Sequence, residues 1–410
     1  MTAALLCAAW SAARVGVGAW YARLGSPPDM ARAMKWAPDN AENYAALARL
    51  DELAGDADGD AQALLLRQQA TRLEPNNAID WLERAMSEDE AGEPEYAEPD
   101  YLHARELFPL SPDVNRALGE YYLRQWRVDD ALDALRLTIA GDPGLRPAVF
   151  GELWRAGVAT SVVLKRGAPW DRDALVAYLN TLAAAGALDD ANMVWRQIET
   201  PGAGAAQGAV QFDGLQYVDA LIRSERTAEL AAVWAEVAPA EAGEADAGGN
   251  AVTNGGFEEA ILNDGLDWRV IPDDGVFVSV DATEAHEGAR SLRIAFGAPG
   301  NPDYRHTFEF VPVESGTDYD FSGYLRAADI TSDTGPRFEL YDANNPQNLD
   351  VSTSDIRGTA DWTEERVRFH TGPDTHLLIV RVGRPPSTSF DDRLSGTVWV
   401  DDVRLAKAAN

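Results

Sequence analysis

Four prolines, Pro38, Pro75, Pro109 and Pro143, fall 37, 34 and 34 residues apart, and each has a small or apolar residue five positions upstream: Ala33, Ala70, Ala104 and Thr138. Proline has no amide hydrogen and clashes with the preceding helical turn, so it ends a helix wherever it recurs. Four such stops in register mark an array of helical repeats.

The rest of the repeat follows from these stops. Counting back from Pro143, Ala131 takes the small-residue position of a second helix and Leu135 its packing position, with Leu118, Gly119 and Tyr122 on the helix before. The previous unit places Trp81, Ala85, Ala97 and Tyr101 at equivalent points. Small residues let paired helices approach closely and aromatics fill the groove between them. These positions resemble the tetratricopeptide signature, a helix–turn–helix of about 34 residues. The resemblance implies an α-solenoid with a concave face for a protein or peptide partner. The three extra residues of the first unit fall around 55–60, in a Gly/Asp-rich turn.

The chain has 410 residues, long enough for two or more domains, and a formal charge of -32 from 67 acidic against 35 basic residues. Such a surface repels nucleic acid and anionic membrane faces, so neither is expected as a partner. The acidity has two readings, simple solubility or adaptation to high salt. Only Lys35, Lys165 and Lys407 are lysines, which fits salt adaptation and equally a GC-rich genome. Cys7 is the single cysteine, so neither a disulfide framework nor a cysteine-based zinc site is available.

The N-terminus reads two ways. An apolar run from Ala3 to Ala13 is broken by Arg14 and resumes from Val15 to Trp20. It is short of the roughly 20 apolar residues of a spanning helix, and no basic segment precedes it as in a signal peptide. Residues 1–24 are either a weak signal-anchor, the favoured reading, or a first amphipathic solenoid helix.

Beyond Pro143 the repeats decay but remain helical, over Asp171 to Ala185, Asp189 to Ile198, Phe212 to Ile222 and Thr227 to Val237, as terminal repeats do. The helical domain is thus expected over 25–237. The stretch APAEAGEADAGGN, within 238–251, has no apolar period and reads as a flexible linker. From there alternation takes over, with Leu292, Ile294 and Phe296, then Phe308 and Phe310, then Tyr319, Phe321 and Leu325. Further strands are expected at Arg337 to Tyr341, Thr363 to His370, Leu377 to Val382 and Thr397 to Leu405. Many short strands separated by Gly, Pro, Asn and Asp turns indicate a β-sandwich over 252–410.

Within it, Asn254-Gly255-Gly256-Phe257-Glu258, Trp268, the segment Glu287 to Leu292 and the closing Trp399-Val400-Asp401-Asp402-Val403 resemble the jelly-roll carbohydrate-binding modules of families 4 and 9. The resemblance implies a polysaccharide partner and a structural calcium on Glu258 and Asp402, since calcium takes six to eight oxygens. A turn-capping Glu258 and a solvated Asp402 are the alternative. By strand alternation, Tyr324 and Arg326 point away from Phe321 and Leu325, and Arg337, Glu339 and Tyr341 away from Phe338 and Leu340. If their strands pair, these five line one sugar platform. Trp268, Trp362 and Trp399 are expected in the core.

No phosphate loop, His-Glu-x-x-His, Gly-x-Ser-x-Gly or dinucleotide fingerprint occurs. His103, His286, His306, His370 and His376 are scattered without ligand spacing, and Asp273-Asp274 and Asp391-Asp392 read as loop acids. The expected fold is therefore multidomain α plus β, an N-terminal tetratricopeptide-like α-solenoid followed by an antiparallel jelly roll. The expected function is a non-enzymatic adaptor. Its overall layout also resembles bacterial exported proteins of exopolysaccharide machinery, which implies the periplasm or a membrane-anchored place in the envelope; a folded N-terminal helix would imply the cytoplasm. A protein scaffold without sugar binding is the runner-up, and a glycan-processing enzyme comes third.

Overall fold

A computed structural model describes residues 2–54, 57–166, 170–199, 214–237, 249–389 and 393–409. The helices are α1 (Thr2–Leu24), α2 (Pro27–Trp36), α3 (Ala41–Ala54), α4 (Ala57–Leu73), α5 (Ala78–Glu90), α6 (Pro94–Leu107), α7 (Pro112–Arg124), α8 (Val128–Gly141), α9 (Arg146–Arg155), α10 (Thr160–Arg166), α11 (Arg172–Ala184), α12 (Leu188–Glu199), α13 (Leu215–Arg223) and α14 (Thr227–Val237). The strands are β1 (Arg269–Val270), β2 (Val276–Asp281), β3 (Ser291–Gly300), β4 (Tyr304–Pro312), β5 (Asp318–Ile330), β6 (Arg337–Asp342), β7 (Asp350–Ser352), β8 (Gly358–His370), β9 (Leu377–Arg384) and β10 (Leu394–Lys407). The chain is thus α plus β. It divides into two compact units, one built on α1 to α12 and the other on α13, α14 and the strands.

Each proline stop works at the level of single hydrogen bonds. The residue before the proline donates its amide to the carbonyl five positions before the proline: Ala37 to Ala33 at 2.8 Å, and Glu74 to Ala70, Phe108 to Ala104 and Asp142 to Thr138 at 2.9 Å each. Three of the proline carbonyls then accept from the side chain six residues on, Tyr44, Trp81 and Asn115. Asn77 and Ser111 cap α5 and α7 by accepting from the amides of Ile79 and Val114, which satisfies a donor that a helix start leaves open.

Helices α3 and α4, α5 and α6, and α7 and α8 pack as pairs, and successive pairs meet through α4 with α5 and α6 with α7. Ala33, Ala70, Ala104, Ala131 and Thr138 are buried. At Gly119 a Cβ would stand 2.5 Å from the Leu135 side chain, so only glycine lets α8 approach α7 there. Ion pairs join residues about one repeat apart: Arg49 with Glu83, Arg124 with Asp89 and Arg116 with Glu152. Helix α1 lies on α2, with Gly18 against Ala37 and Arg14 2.6 Å from Asp39. Among the described residues no helix is long and apolar enough to cross a membrane.

The strands form two antiparallel five-stranded sheets, ordered β1-β4-β9-β6-β7 and β2-β3-β10-β5-β8. Between them lies one apolar core including Phe257, Trp268, Ile294, Phe321, Leu325, Phe338, Leu340, Val380, Val382, Val398 and Val400. The first residues of the sandwich are tied to the last strand: Ala251 N–H donates to the Leu405 carbonyl at 2.8 Å and Val403 N–H to that of Gly255 at 2.9 Å. Gly255 sits so close to Val403 that a Cβ would strike its carbonyl. The expected helical domain ran to 237, but α13 and α14 are grouped with the sandwich: Arg269 of β1 pairs with Asp219 at 2.6 Å, and Gly265 lies against the Trp234 ring. Most of the expected linker, residues 238–248, lies outside the described residues.

Candidate functional site

On the outer face of the first sheet, strand register places Glu339 between Arg381 and Ser352, and Tyr341 between Ile379 and Asp350. Phe338 and Leu340 of β6 point into the core, as do Val380 and Val382 of β9, so the alternate residues point out. Arg381 organises this face. Its Nε donates to Glu339 Oε2 at 2.7 Å, a terminal nitrogen donates to the Tyr341 hydroxyl at 3.1 Å, and its guanidinium lies 4.6 Å from the Tyr341 ring centre. Arg337 Nε donates to the other Glu339 oxygen at 3.0 Å. Glu339 is 8% exposed, and this fork gives both of its oxygens hydrogen-bond partners. Gly383 makes room for it, since a Cβ would sit 2.5 Å from Glu339 Oε2. The result is a fixed set of donors and acceptors beside an aromatic ring, chemistry suited to hydroxyl groups on an apolar ring face.

The other two expected ligand residues are elsewhere. Tyr324 and Arg326 point outward as alternation requires, but β5 pairs with β10 and β8 in the second sheet, whereas β6 pairs with β7 and β9 in the first. The single platform of Tyr324, Arg326, Arg337, Glu339 and Tyr341 is therefore split over two outer faces. The segment after Ile330 crosses from one sheet to the other, and side-chain parity carries no record of that crossing.

On the second sheet Trp399 lies in register between Arg293 and Arg326, with the Arg326 guanidinium 5.8 Å from its ring. Its indole N–H donates to Asp281 at 2.9 Å, and Arg326 pairs with Glu284. Hydrogen bonds from Thr283 and Trp399 hold the Asp281 carboxyl below the usual carboxylate range. Trp268 is core as expected. Trp362 and Trp399 are only half-buried, because they occupy outward positions.

The loop between β2 and β3 closes over one end of this face. His286 stacks on Tyr324 with ring centres 3.6 Å apart and meets Trp362 edge-on at 5.8 Å. Its backbone amide donates to Asp401 Oδ2 at 2.7 Å, and the Glu287 amide donates to the same oxygen at 3.3 Å. Burial pushes the Asp401 carboxyl up to about 6. Neither His286 nor Arg381 was a sequence candidate. Parity along β9 carries the signal for Arg381, while a loop histidine has no periodic signal.

The two expected calcium ligands have other partners. Glu258 Oε1 accepts the amides of Ala289 and Arg290 at 2.6 and 3.0 Å, whereas Asp402 Oδ2 is 2.6 Å from His286 Nδ1.

In the helical unit a cavity of about 640 Å³ is lined by Arg49, Glu52, Leu53, Ile79, Glu83 and Met86, among others. Leu53, Ile79 and Met86 are exposed there. Beneath them Arg67, 4% exposed, is held by Glu52 at 2.6 Å and by Glu83.

Comparison with known proteins concerns the C-terminal part. Residues 249–388 match a carbohydrate-binding domain family, the modules of families 4 and 9. Similar solved structures include a family 61 module in complex with β-1,4-galactotriose, 17% identical, covering 39% of this chain and 99% of that one with a TM-score of 0.29. A family 16 carbohydrate-binding module is 20% identical over 38% of this chain and 99% of its own, with a TM-score of 0.28. A xylan-binding domain from Paenibacillus barcinonensis is 16% identical over 38% of this chain and 93% of its own, with a TM-score of 0.25. Comparison with curated proteins gives no match.

Proposed function

We propose that this protein is a non-enzymatic adaptor of the cell envelope, binding a polysaccharide through its sandwich and a protein or peptide through a tetratricopeptide-like solenoid. The match of residues 249–388 to carbohydrate-binding domains carries the glycan half of this reading. The ligand face is the outer face of the first sheet, where Arg337, Glu339, Arg381 and Tyr341 are already fixed in one network. Fixed groups lose little freedom on binding, and that favours affinity. On the opposite sheet the Tyr324 ring is stacked by His286.

The protein half is supported by the repeat itself and by the apolar groove around Leu53, Ile79 and Met86. Exposed Trp10, Val15, Trp20 and Leu24 on α1 support an N-terminal attachment to the envelope. A structural calcium on Glu258 and Asp402 requires Asp402 to turn from His286, so it is the alternative to any ion held by Asp402 together with His286, and the two exclude each other. A Ca²⁺-dependent rise in melting temperature, lost in Glu258→Gln, tests it.

The adaptor reading is tested by applying the full chain to a glycan array of envelope polysaccharides and then sizing the bound polymers. Retention with unchanged polymer length is expected. Absence of binding favours the protein scaffold, and shortened polymer would make the protein an enzyme.

A further inference from the structure

The corner where the β2–β3 loop meets β10 gathers donors of mixed type. His286, Glu287 and Asp402 each bring one ligand atom to within 4.8 Å of the others. We propose that these three residues bind a divalent transition-metal ion of the zinc class, a site independent of the glycan face on the other sheet.

Three features hold the donors in place. The imidazole is fixed on both ring and edge, by the stack on Tyr324 and the edge contact with Trp362. The loop backbone is fixed by Asp401, which accepts the amides of both His286 and Glu287. Strand β10 shifts register between Asp401 and Arg404, and Asp402 has a φ of +46°. Regular alternation would send two consecutive side chains to opposite faces, and this irregularity lets Asp401 and Asp402 both address one loop.

The donor set selects the metal. Zinc and its neighbours take imidazole nitrogen and carboxylate oxygen at about 2.0–2.2 Å. Ligand atoms around such an ion stand about 3–4 Å apart, so a small rotation of the exposed Glu287 side chain completes the set. Calcium and magnesium favour oxygen alone. Three protein ligands leave a fourth position open. The competing account is that the 2.6 Å contact of His286 with Asp402 only pins the loop.

The full chain, stripped with chelator, is titrated with ZnSO₄ by calorimetry and with NiCl₂ by tryptophan fluorescence. One saturable zinc site is expected, weakened at least tenfold in His286→Ala and in Glu287→Gln and undisturbed by excess CaCl₂. Nickel is expected to quench part of the fluorescence, and Trp362→Phe to remove that quenching while zinc still binds. Glu287 is exposed, so its variant stays informative if removing His286 unfolds the loop. Absence of saturable zinc binding, unchanged affinity in Glu287→Gln, or displacement of zinc by equimolar calcium would overturn the proposal.

Discussion

The two units are built on different distances along the chain. In the helical unit the ion pairs between elements join residues about one repeat apart or closer: Arg49 to Glu83 spans 34 positions, Arg124 to Asp89 spans 35 and Arg116 to Glu152 spans 36. In the sandwich the corresponding ties are remote. His286 meets Asp401 across 115 positions, Trp399 meets Asp281 across 118, and Leu405 meets Asn250 across 155. Errors in the first unit therefore stay local, whereas one wrong pairing in the second relocates a whole face.

The largest effect that sharpens this contrast is expected at Glu309. It is wholly buried in the sandwich, accepts the Thr253 amide with one oxygen at 2.7 Å, and has no hydrogen-bond partner for the other among the described residues. Burial raises its carboxyl well above the ordinary carboxylate range. The folded state thus holds a proton that the unfolded state releases, and stability is full below the unfolded pKa and falls as pH rises towards the folded one. Within that window the loss is about 1.4 kcal/mol per pH unit. Glu309→Gln should flatten this slope and be the more stable form at neutral pH, as read by urea unfolding at a series of pH values. A wild type as steep as the variant would contradict it.

A smaller and local effect is expected at Ala131, where the side chain is fully buried at the contact of α7 and α8. Ala131→Leu should cost about 1–3 kcal/mol through overpacking, seen as a lower urea midpoint while glycan binding persists. Loss of glycan binding along with it would mean that the units are not energetically separate. The smallest effect belongs to Arg166 and Asp129, an exposed pair 37 positions apart. Arg166→Gln should change stability by less than about 1 kcal/mol.

Legibility followed the same division. The helix stops, the small residues at helix contacts and the strands from β3 onward, except the three-residue β7, were readable, because each is a pattern within a few residues or one repeat. The outward direction of Tyr324, Arg326, Glu339 and Tyr341 was readable too, but which sheet each joined was not. Of the three tryptophans expected in the core, Trp399 shows a neglected parity: Val398 and Val400 point inward, which sends it out. Strand β2 escaped notice because it is half-exposed on both faces at the sheet edge. His286 sits on a loop, and only the distant Asp401 and Asp402 give it a position.

The central claim is that the sandwich binds glycan on the first sheet and not on the second, and affinity electrophoresis of the full chain through gels containing envelope polysaccharides tests it most directly. The wild type should be retarded in at least one gel. Tyr341→Ala should weaken binding there about tenfold, the loss of roughly 1.4 kcal/mol of stacking and hydrogen bonding, while Tyr324→Ala should migrate as the wild type does. Free migration of the wild type in every gel, or retardation lost with Tyr324 and kept without Tyr341, would contradict the account.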